Sequence, residues 1–427
     1  MAPSRYSLDA SARIRAILDL AIRLAMVFWR SGAGAQETTE AMIAVTRAYG
    51  LGHIDADIAP GSVTLTWTNT STDESISRRH NLPARRLDYS TLTAVAALHQ
   101  RIVAGRIEVH EATRSLSRIR SARPLTPVLV RRLGWALVGA GAAVLLGGGP
   151  LVAAVALIAA FMIDAVLDSM RRRGVPLLFQ TFLGGVIGPV AAVLVRLVDP
   201  AASATLVVVS TVIVMLAGVT VLGGVQDILT AFYITGLSRL MEAIVATTGI
   251  AAGVISSSLL LQRIGAPVVV TVTEARPEQL PAVAAAAAVV MALGFALGTE
   301  MPWRAYWGVA LLALIGEAAA QLCTRIELSD LWTAAVAAIV VGAFSSLLSR
   351  GTRTPALPLL VAALIPMLPG LTLFNGLMQL ASSSLNGLYD TFLAGAIAAA
   401  LASGSILGHY LVRMLRGSRR AMRLAKL

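Results

Sequence analysis

Two stretches of the chain nearly repeat each other, Gly218-Val219-Thr220-Val221-Leu222-Gly223-Gly224-Val225 and Gly370-Leu371-Thr372-Leu373-Phe374-Asn375-Gly376-Leu377, 152 residues apart. Each interrupts an otherwise apolar segment. The same offset carries the apolar runs near 133–149, 151–168 and 177–196 onto those near 285–301, 303–320 and 329–348. The carboxyl-terminal two-thirds therefore reads as two copies of one five-helix unit, each broken by glycine at the same place.

Hydrophobic residues make up 56% of the chain and the mean hydropathy is +0.76. Many apolar runs approach the roughly 20 residues that cross a bilayer. This is the composition of a polytopic membrane protein, mainly α-helical, with about ten spans expected near 133–149, 151–168, 177–196, 203–222, 241–262, 282–299, 303–322, 330–349, 356–381 and 388–412. The excess of 35 basic over 23 acidic residues belongs with cytoplasmic loops rather than with nucleic acid. The single cysteine, Cys323, leaves no intramolecular disulfide and no multi-cysteine metal site. No nucleophile elbow, P-loop, zinc signature or dinucleotide fingerprint occurs, so the chain reads as neither an enzyme nor a holder of cofactors or metals.

Residues 1–130 form a polar preface that reads as a small cytoplasmic α+β domain, ahead of membrane repeats at 131–265 and 266–427. Its first helix, about Ser11 to Arg30, reads as amphipathic rather than as the continuous apolar core of a signal peptide, because arginines and Asp19 interrupt the apolar stripe. A second helix spans about Ala35–Tyr49. His53–Ile58 and Val63–Trp67 alternate as strands around a Pro60-Gly61 turn, and helices follow at about 89–104 and 109–122. His53, Asp55 and Asp57 share a strand face, which reads as solvated rather than metal-binding. Arg78, Arg79, Arg85 and Arg86 read as a basic loop.

Arginines set the orientation. Arg171–Arg173, Arg304, Arg350, Arg353 and the tail arginines Arg413, Arg416, Arg419, Arg420 and Arg423 fall on one side if both termini are cytoplasmic. An odd number of helices per unit then makes the two repeats inverted. The loop from Gln262 to Pro281, with Glu274–Glu278, joins them on the outer face. Gly223–Leu240 is read either as a re-entrant hairpin or as a cytoplasmic surface helix.

Glycine tolerates either backbone hand, so Gly218–Gly224 and Gly370–Gly376 are the expected sites of unwound helix with free N–H and C=O groups. Half-helix ends of that kind suit a zwitterion. The candidate binding set is Gly218, Thr220, Gly224, Asp227, Pro369, Gly370, Thr372, Asn375 and Gly376, with Gln226 and Gln379 nearby. Acids at membrane depth are costly and usually functional. Asp164 and Glu317 occupy equivalent helices and are candidate proton carriers, as are Glu242 and Asp390 beside the motifs. Asp168 reads as an ion-pair partner of Arg171–Arg173, and Arg239 with Glu242 as an intrahelical pair.

The stretches Ser31-Gly32-Ala33-Gly34-Ala35-Gln36-Glu37-Thr38-Thr39-Glu40, Ala48-Tyr49-Gly50-Leu51, Gly218 to Asp227, Gly236-Leu237-Ser238-Arg239-Leu240-Met241-Glu242 and Pro366 to Gly376 together resemble the threonine/serine exporter family. The likeness covers both membrane halves and the preface. It implies a cytoplasmic amino-terminal domain, ten membrane helices and proton-motive export of threonine and serine across the plasma membrane. A branch of the family implies dicarboxylate export as an alternative, and a ligand sensor with a cytoplasmic output domain is the rival from another class. The implied partners are a small amino acid and the bilayer, with self-association left open. Where the family pattern places proline before the first glycine, this chain has Ala217, in contrast to Pro369 in the second copy.

Overall fold

The computed structural model describes residues 5–70, 72–123, 126–216, 218–266, 280–382 and 384–424. The expected outer loop at Glu274–Glu278 and the position of Ala217 lie outside the described residues, as do the side chains of the tail from Arg416 onward. The chain forms two compact units, Met1–Leu125 with Asp227–Ser238, and Thr126–Gln226 with Arg239–Leu427.

The first unit holds α1 (Arg5–Arg30), α2 (Ala35–Ala48), β1 (Ile54–Ala59), β2 (Ser62–Thr68), β3 (Ser75–Asn81), α3 (Tyr89–Val103) and α4 (Val109–Ser121). The apolar stripe of α1, including Ile17, Leu18, Ala21, Leu24 and Phe28, is buried together with Met42, Val63, Leu65, Leu92 and Ile102. Its interrupting Arg13, Arg15, Arg23 and Arg30 stay exposed. The strands run antiparallel in the order β1-β2-β3. Ala59 faces Ser62 across the Pro60-Gly61 turn, where Gly61 takes φ +85 at no steric cost. Asp55 and Asp57 are exposed on β1. Arg78 and Arg79 are not in a loop: they belong to β3 and face Leu65 and Thr64 of β2.

The second unit contains α5 (Val128–Leu145), α6 (Pro150–Arg172), α7 (Leu177–Val198), α8 (Ala204–Val212), α9 (Gly218–Leu229), α10 (Tyr233–Arg263), α11 (Pro281–Gly298), α12 (Tyr306–Arg325), α13 (Asp330–Thr352), α14 (Ala356–Leu364), α15 (Gly370–Ala381) and α16 (Asn386–Leu424), with α9 and α10 lending residues to the first unit. Among the described residues, eight helices are long and apolar enough to cross a membrane, or ten if each bent pair is one span. The bent pairs are Ala204–Met215 with Gly218–Leu229, at 48°, and Ala356–Met367 with Gly370–Ala381, at 46°. All four starting residues of these pairs match at the 152-residue offset.

The breaks differ in position from the sequence reading. Each leading helix tightens into a 3₁₀ turn, Ile213–Met215 or Ile365–Met367, and then one leucine turns extended: Leu216 at ψ 132 and Leu368 at ψ 137. Gly218–Gly224 and Gly370–Gly376 are helical from their first residues. The expected span 203–222 is accordingly two helices, and the helix expected at 241–262 begins at Tyr233. Gly223–Leu240 is no separate element, since it comprises the end of α9, a short turn and the start of α10.

Small residues let these helices approach closely. Gly134 of α5 lies against Gly294 and Gly298 of α11, while Gly141 lies against Ala287 and Met291, so α5 and α11 run antiparallel along one seam. Gly249 and Gly253 meet α7 at Thr181 and Phe182, and Gly404 and Gly408 meet α13 at Ala335 and Ile339.

Candidate functional site

The two breaks touch each other reciprocally. A Cβ placed on Gly218 would lie 2.8 Å from the Leu368 Cβ, and one placed on Gly370 would lie 2.8 Å from the Leu216 Cβ and 3.7 Å from the Gly218 nitrogen. Each glycine therefore seats the extended leucine of the other copy. The same contact brings together the N-termini of α9 and α15, whose first-turn N–H groups have no intrahelical acceptor and carry the positive end of each helix dipole. Thr220 and Thr372 sit in these first turns, half-buried, and Asn375 is buried one turn further along α15. Pro369 is the N-cap of α15, held at φ −78.

Beyond the first turns the two copies diverge. The Arg239 guanidinium lies on Gly223, with Nη1 2.6 Å from where a Cβ would sit, and Arg239 is buried. The matched place in the second copy holds Thr391, whose Oγ1 is 2.6 Å from the Cβ position of Gly376. Gln379 of α15 donates to Asp390 of α16, and Gln226 of α9 donates to Ser405 of α16 at 3.1 Å. Gly224 is buried in α9, whereas Glu242 is exposed.

Asp227 is not at the break. It lies in the first unit, where its Oδ1 accepts the Ala35 N–H at 3.0 Å and so caps α2, which starts after Gly34 without a side-chain cap of its own. A carboxylate suits that helix N-terminus. The preceding turn is braced by Arg85, which donates to the Ala33 carbonyl at 2.6 Å and lies 3.7 Å over the Trp29 ring. Gly32 there takes φ +107. Burial and the charge of Glu40 push the Glu37 carboxyl up from 4.5 to about 7. Burial also raises the Tyr89 hydroxyl and lowers the His99 imidazole.

Asp164 and Glu317 are both buried, and the structure gives them different partners. Asp164 is 3.7 Å from Arg132 of α5. Glu317 accepts from Gln321 at 3.2 Å, and the same amide donates to the Pro281 carbonyl at the start of α11. Helices α5 and α11 start 153 residues apart; at that offset Asp164 matches Glu317 and Asp168 matches Gln321, while Arg131 and Arg132 match Ala284 and Ala285. Asp168 does bind Arg172, at 2.9 Å, but it also lies 3.7 Å from Arg131 and from Arg132. Arg131 in turn is 3.6 Å from Glu300, which follows α11 at φ +57. The sequence reading overlooked Arg131, Arg132 and Glu300. The signal was two adjacent arginines opening a span, which is against the helix dipole, with two acids four residues apart on the next helix.

A helical membrane unit built around two matched helix breaks, with buried charges on the neighbouring helices, defines a multi-pass membrane transport protein. The comparisons with known proteins agree. A threonine/serine exporter family model matches residues 19–261, and a second, described as threonine/serine exporter, ThrE, matches residues 284–411. The chain is 31% identical over 425 residues to a threonine/serine exporter of Corynebacterium glutamicum, covering 95% of this chain and 84% of that one. It is also 31% identical over 419 residues to a probable threonine/serine exporter of Mycobacterium tuberculosis, covering 94% and 77%. No solved structure matches. The chain belongs to the threonine/serine exporter family.

Proposed function

We propose that this protein exports threonine, serine or a similarly small amino acid across the plasma membrane, driven by the proton-motive force, through two inverted five-helix repeats with both termini in the cytoplasm. The observation that carries the reading is the reciprocal contact of Gly218 with Leu368 and of Gly370 with Leu216. It is what a two-fold axis through the breaks produces, and the antiparallel course of α5 and α11 supports the inversion. Two helix N-termini at one place favour a carboxylate. The side chains of Thr220, Thr372 and Asn375 supply neutral polar groups within one turn.

Coupling is assigned to the matched acids Asp164 and Glu317, since a proton is the cheapest way to carry a carboxylate through a medium of low dielectric. One charge moving down a potential of about 100 mV releases about 2.3 kcal/mol, which sustains roughly a fiftyfold gradient of a neutral zwitterion. A second reading, dicarboxylate export, is favoured by the buried guanidinium of Arg239 on Gly223.

Proteoliposomes holding labelled threonine at equal concentration inside and outside, then given an inward proton gradient that should drive it out of the lumen, test both. Threonine should accumulate uphill, and Glu317→Gln should abolish uphill movement while preserving downhill exchange. Asp164→Asn, which leaves Arg132 with Asp168 as its one remaining carboxylate among the described ion pairs, should impair both. Exchange of succinate but not threonine selects the second reading. Exchange of neither, with ligand-dependent protection of the protein, selects a sensor.

A further inference from the structure

Three arginines and three carboxylates meet at one end of the second unit: Arg131 and Arg132 from the first five residues of α5, Asp164, Asp168 and Arg172 from α6, and Glu300 after α11. Their charges balance. Five are largely buried, with the Glu300 side chain 2% exposed and that of Arg131 11%. Such a cluster is a poor way to gain stability, because desolvation offsets most of the attraction and apolar residues of the same volume do as well or better. The two arginines are also placed at the positive end of their own helix dipole. Glu300 adds a third cost, as a non-glycine residue held in the left-handed region.

The network is not copied in the second repeat. At the 153-residue offset Arg131 and Arg132 become Ala284 and Ala285, and Glu300 corresponds to Gly147. One end of the α5–α11 seam is therefore bridged by paired arginines and carboxylates, and the related end keeps Glu317 but puts Ala284, Ala285 and Gly147 where Arg131, Arg132 and Glu300 stand. Within the network, Arg132 pairs with Asp164 and Asp168, both in the first repeat. Arg131 bridges Asp168 of the first repeat to Glu300 of the second. Its contacts, at 3.6 and 3.7 Å, are longer than a charge-assisted hydrogen bond of about 2.8 Å, so exchanging them costs less than breaking close pairs. The bridge stands at the end of the glycine seam, three residues before Gly134 and two after Gly298.

We propose that the Arg131–Glu300 pair is a latch between the two halves of the transporter, holding the cytoplasmic end of the α5–α11 seam shut, and that each export cycle requires it to break and re-form. Arg131 and Glu300 act here as positioning residues for export. The orientation rests on the topology proposed above.

The test uses the full-length protein with Cys323→Ser in proteoliposomes. In Arg131→Cys/Glu300→Cys, bridging the two cysteines with a bifunctional methanethiosulfonate should cut labelled-threonine exchange at least about tenfold, and dithiothreitol should restore it. Bridged protein that exchanges as fast as reduced protein overturns the latch, because a seam that never opens is indifferent to a tether. A second readout needs no transport. Thr299 is fully buried beside Glu300, so Thr299→Cys should react slowly with maleimide. Adding Arg131→Gln should speed that reaction by at least about tenfold, whereas adding Arg131→Lys should leave it near the starting rate. Equal rates in all three overturn the proposal. If the Cys323→Ser parent, with Arg131 and Glu300 intact, moves no threonine, the export reading fails while the labelling rates still decide the latch.

Discussion

Replacing Gly218 by leucine puts a side chain into the space that Leu368 already occupies. Even a single methyl there would stand 2.8 Å from Leu368 Cβ and 3.2 Å from its Cδ1, well inside van der Waals contact. Overpacking of this kind costs about 1–3 kcal/mol and displaces backbone, offset in part by up to about 1 kcal/mol gained on removing glycine from a helix. Gly218→Leu should therefore lower the thermal midpoint by a few degrees, at roughly 2–4 °C per kcal/mol, and abolish threonine exchange. The reciprocal geometry makes the sharper forecast. Gly218→Leu/Leu368→Gly exchanges the two side chains across the contact and should recover folding and part of the exchange activity. Gly218→Leu/Leu216→Gly has the same composition but relieves the wrong contact, because Leu216 seats on Gly370, and it should recover neither. Exchange rates in proteoliposomes and melting in detergent read both effects. Equal rescue by the two double variants, or a harmless Gly218→Leu, would falsify the paired-break geometry.

The first unit carries a pH dependence opposite in sign to ordinary acid denaturation. Because Glu37 is raised from 4.5 to about 7, its contribution to stability is complete below about pH 4.5 and is lost as pH rises through about 7, on the order of 3 kcal/mol in all. Glu37→Gln should melt with wild type near pH 4.5 and above it at pH 8, and parallel curves would refute the burial of that carboxyl. Asp227→Ala should cost the first unit about 0.5–2 kcal/mol through the lost cap on α2, while Asp227→Asn, which keeps an acceptor oxygen, should cost less. Faster amide exchange at Ala35 in the alanine variant alone is the expected signature, and equal exchange in the two variants would remove Asp227 from the cap.

The repeat was legible because glycine and proline mark helix breaks and because apolar runs survive at a fixed offset. Helices α1 to α4 and the β1–β2 hairpin were legible from amphipathic period and turn chemistry. Strand β3 was not, since Ser75-Ile76-Ser77-Arg78-Arg79-His80-Asn81 has a single large apolar residue, and an edge strand held by backbone pairing needs no alternation. The exact residue of each break was hidden for a local reason: a glycine that looks like the opening itself serves as the first residue of the next helix, and the extended residue is an ordinary leucine. The remaining omissions are long-range. Asp227 looked like part of a membrane motif, and only the fold brings it to Ala35, 192 residues away. Hydropathy likewise trims Arg131 from its span and gives no reason to connect it with Glu300.

The two copies agree in backbone and disagree in charge, and that division suggests how a symmetric scaffold acquires direction. Inverted repeats of identical chemistry would make the inward-closed and outward-closed states equal in energy, leaving any bias to the gradients alone. Here the break geometry is matched to within a few degrees, 48° against 46°, while Asp164 and Asp168 face arginines and their counterparts Glu317 and Gln321 share an amide hydrogen bond. On the proposed reading, protonation has unequal effects at the two ends. A proton on the arginine-paired side uncovers a buried cation, whereas a proton on Glu317 adds a donor beside an amide that can rotate to accept it. On that reading the scaffold's symmetry supplies two states, and its unequal charge pattern is what makes them differ in energy.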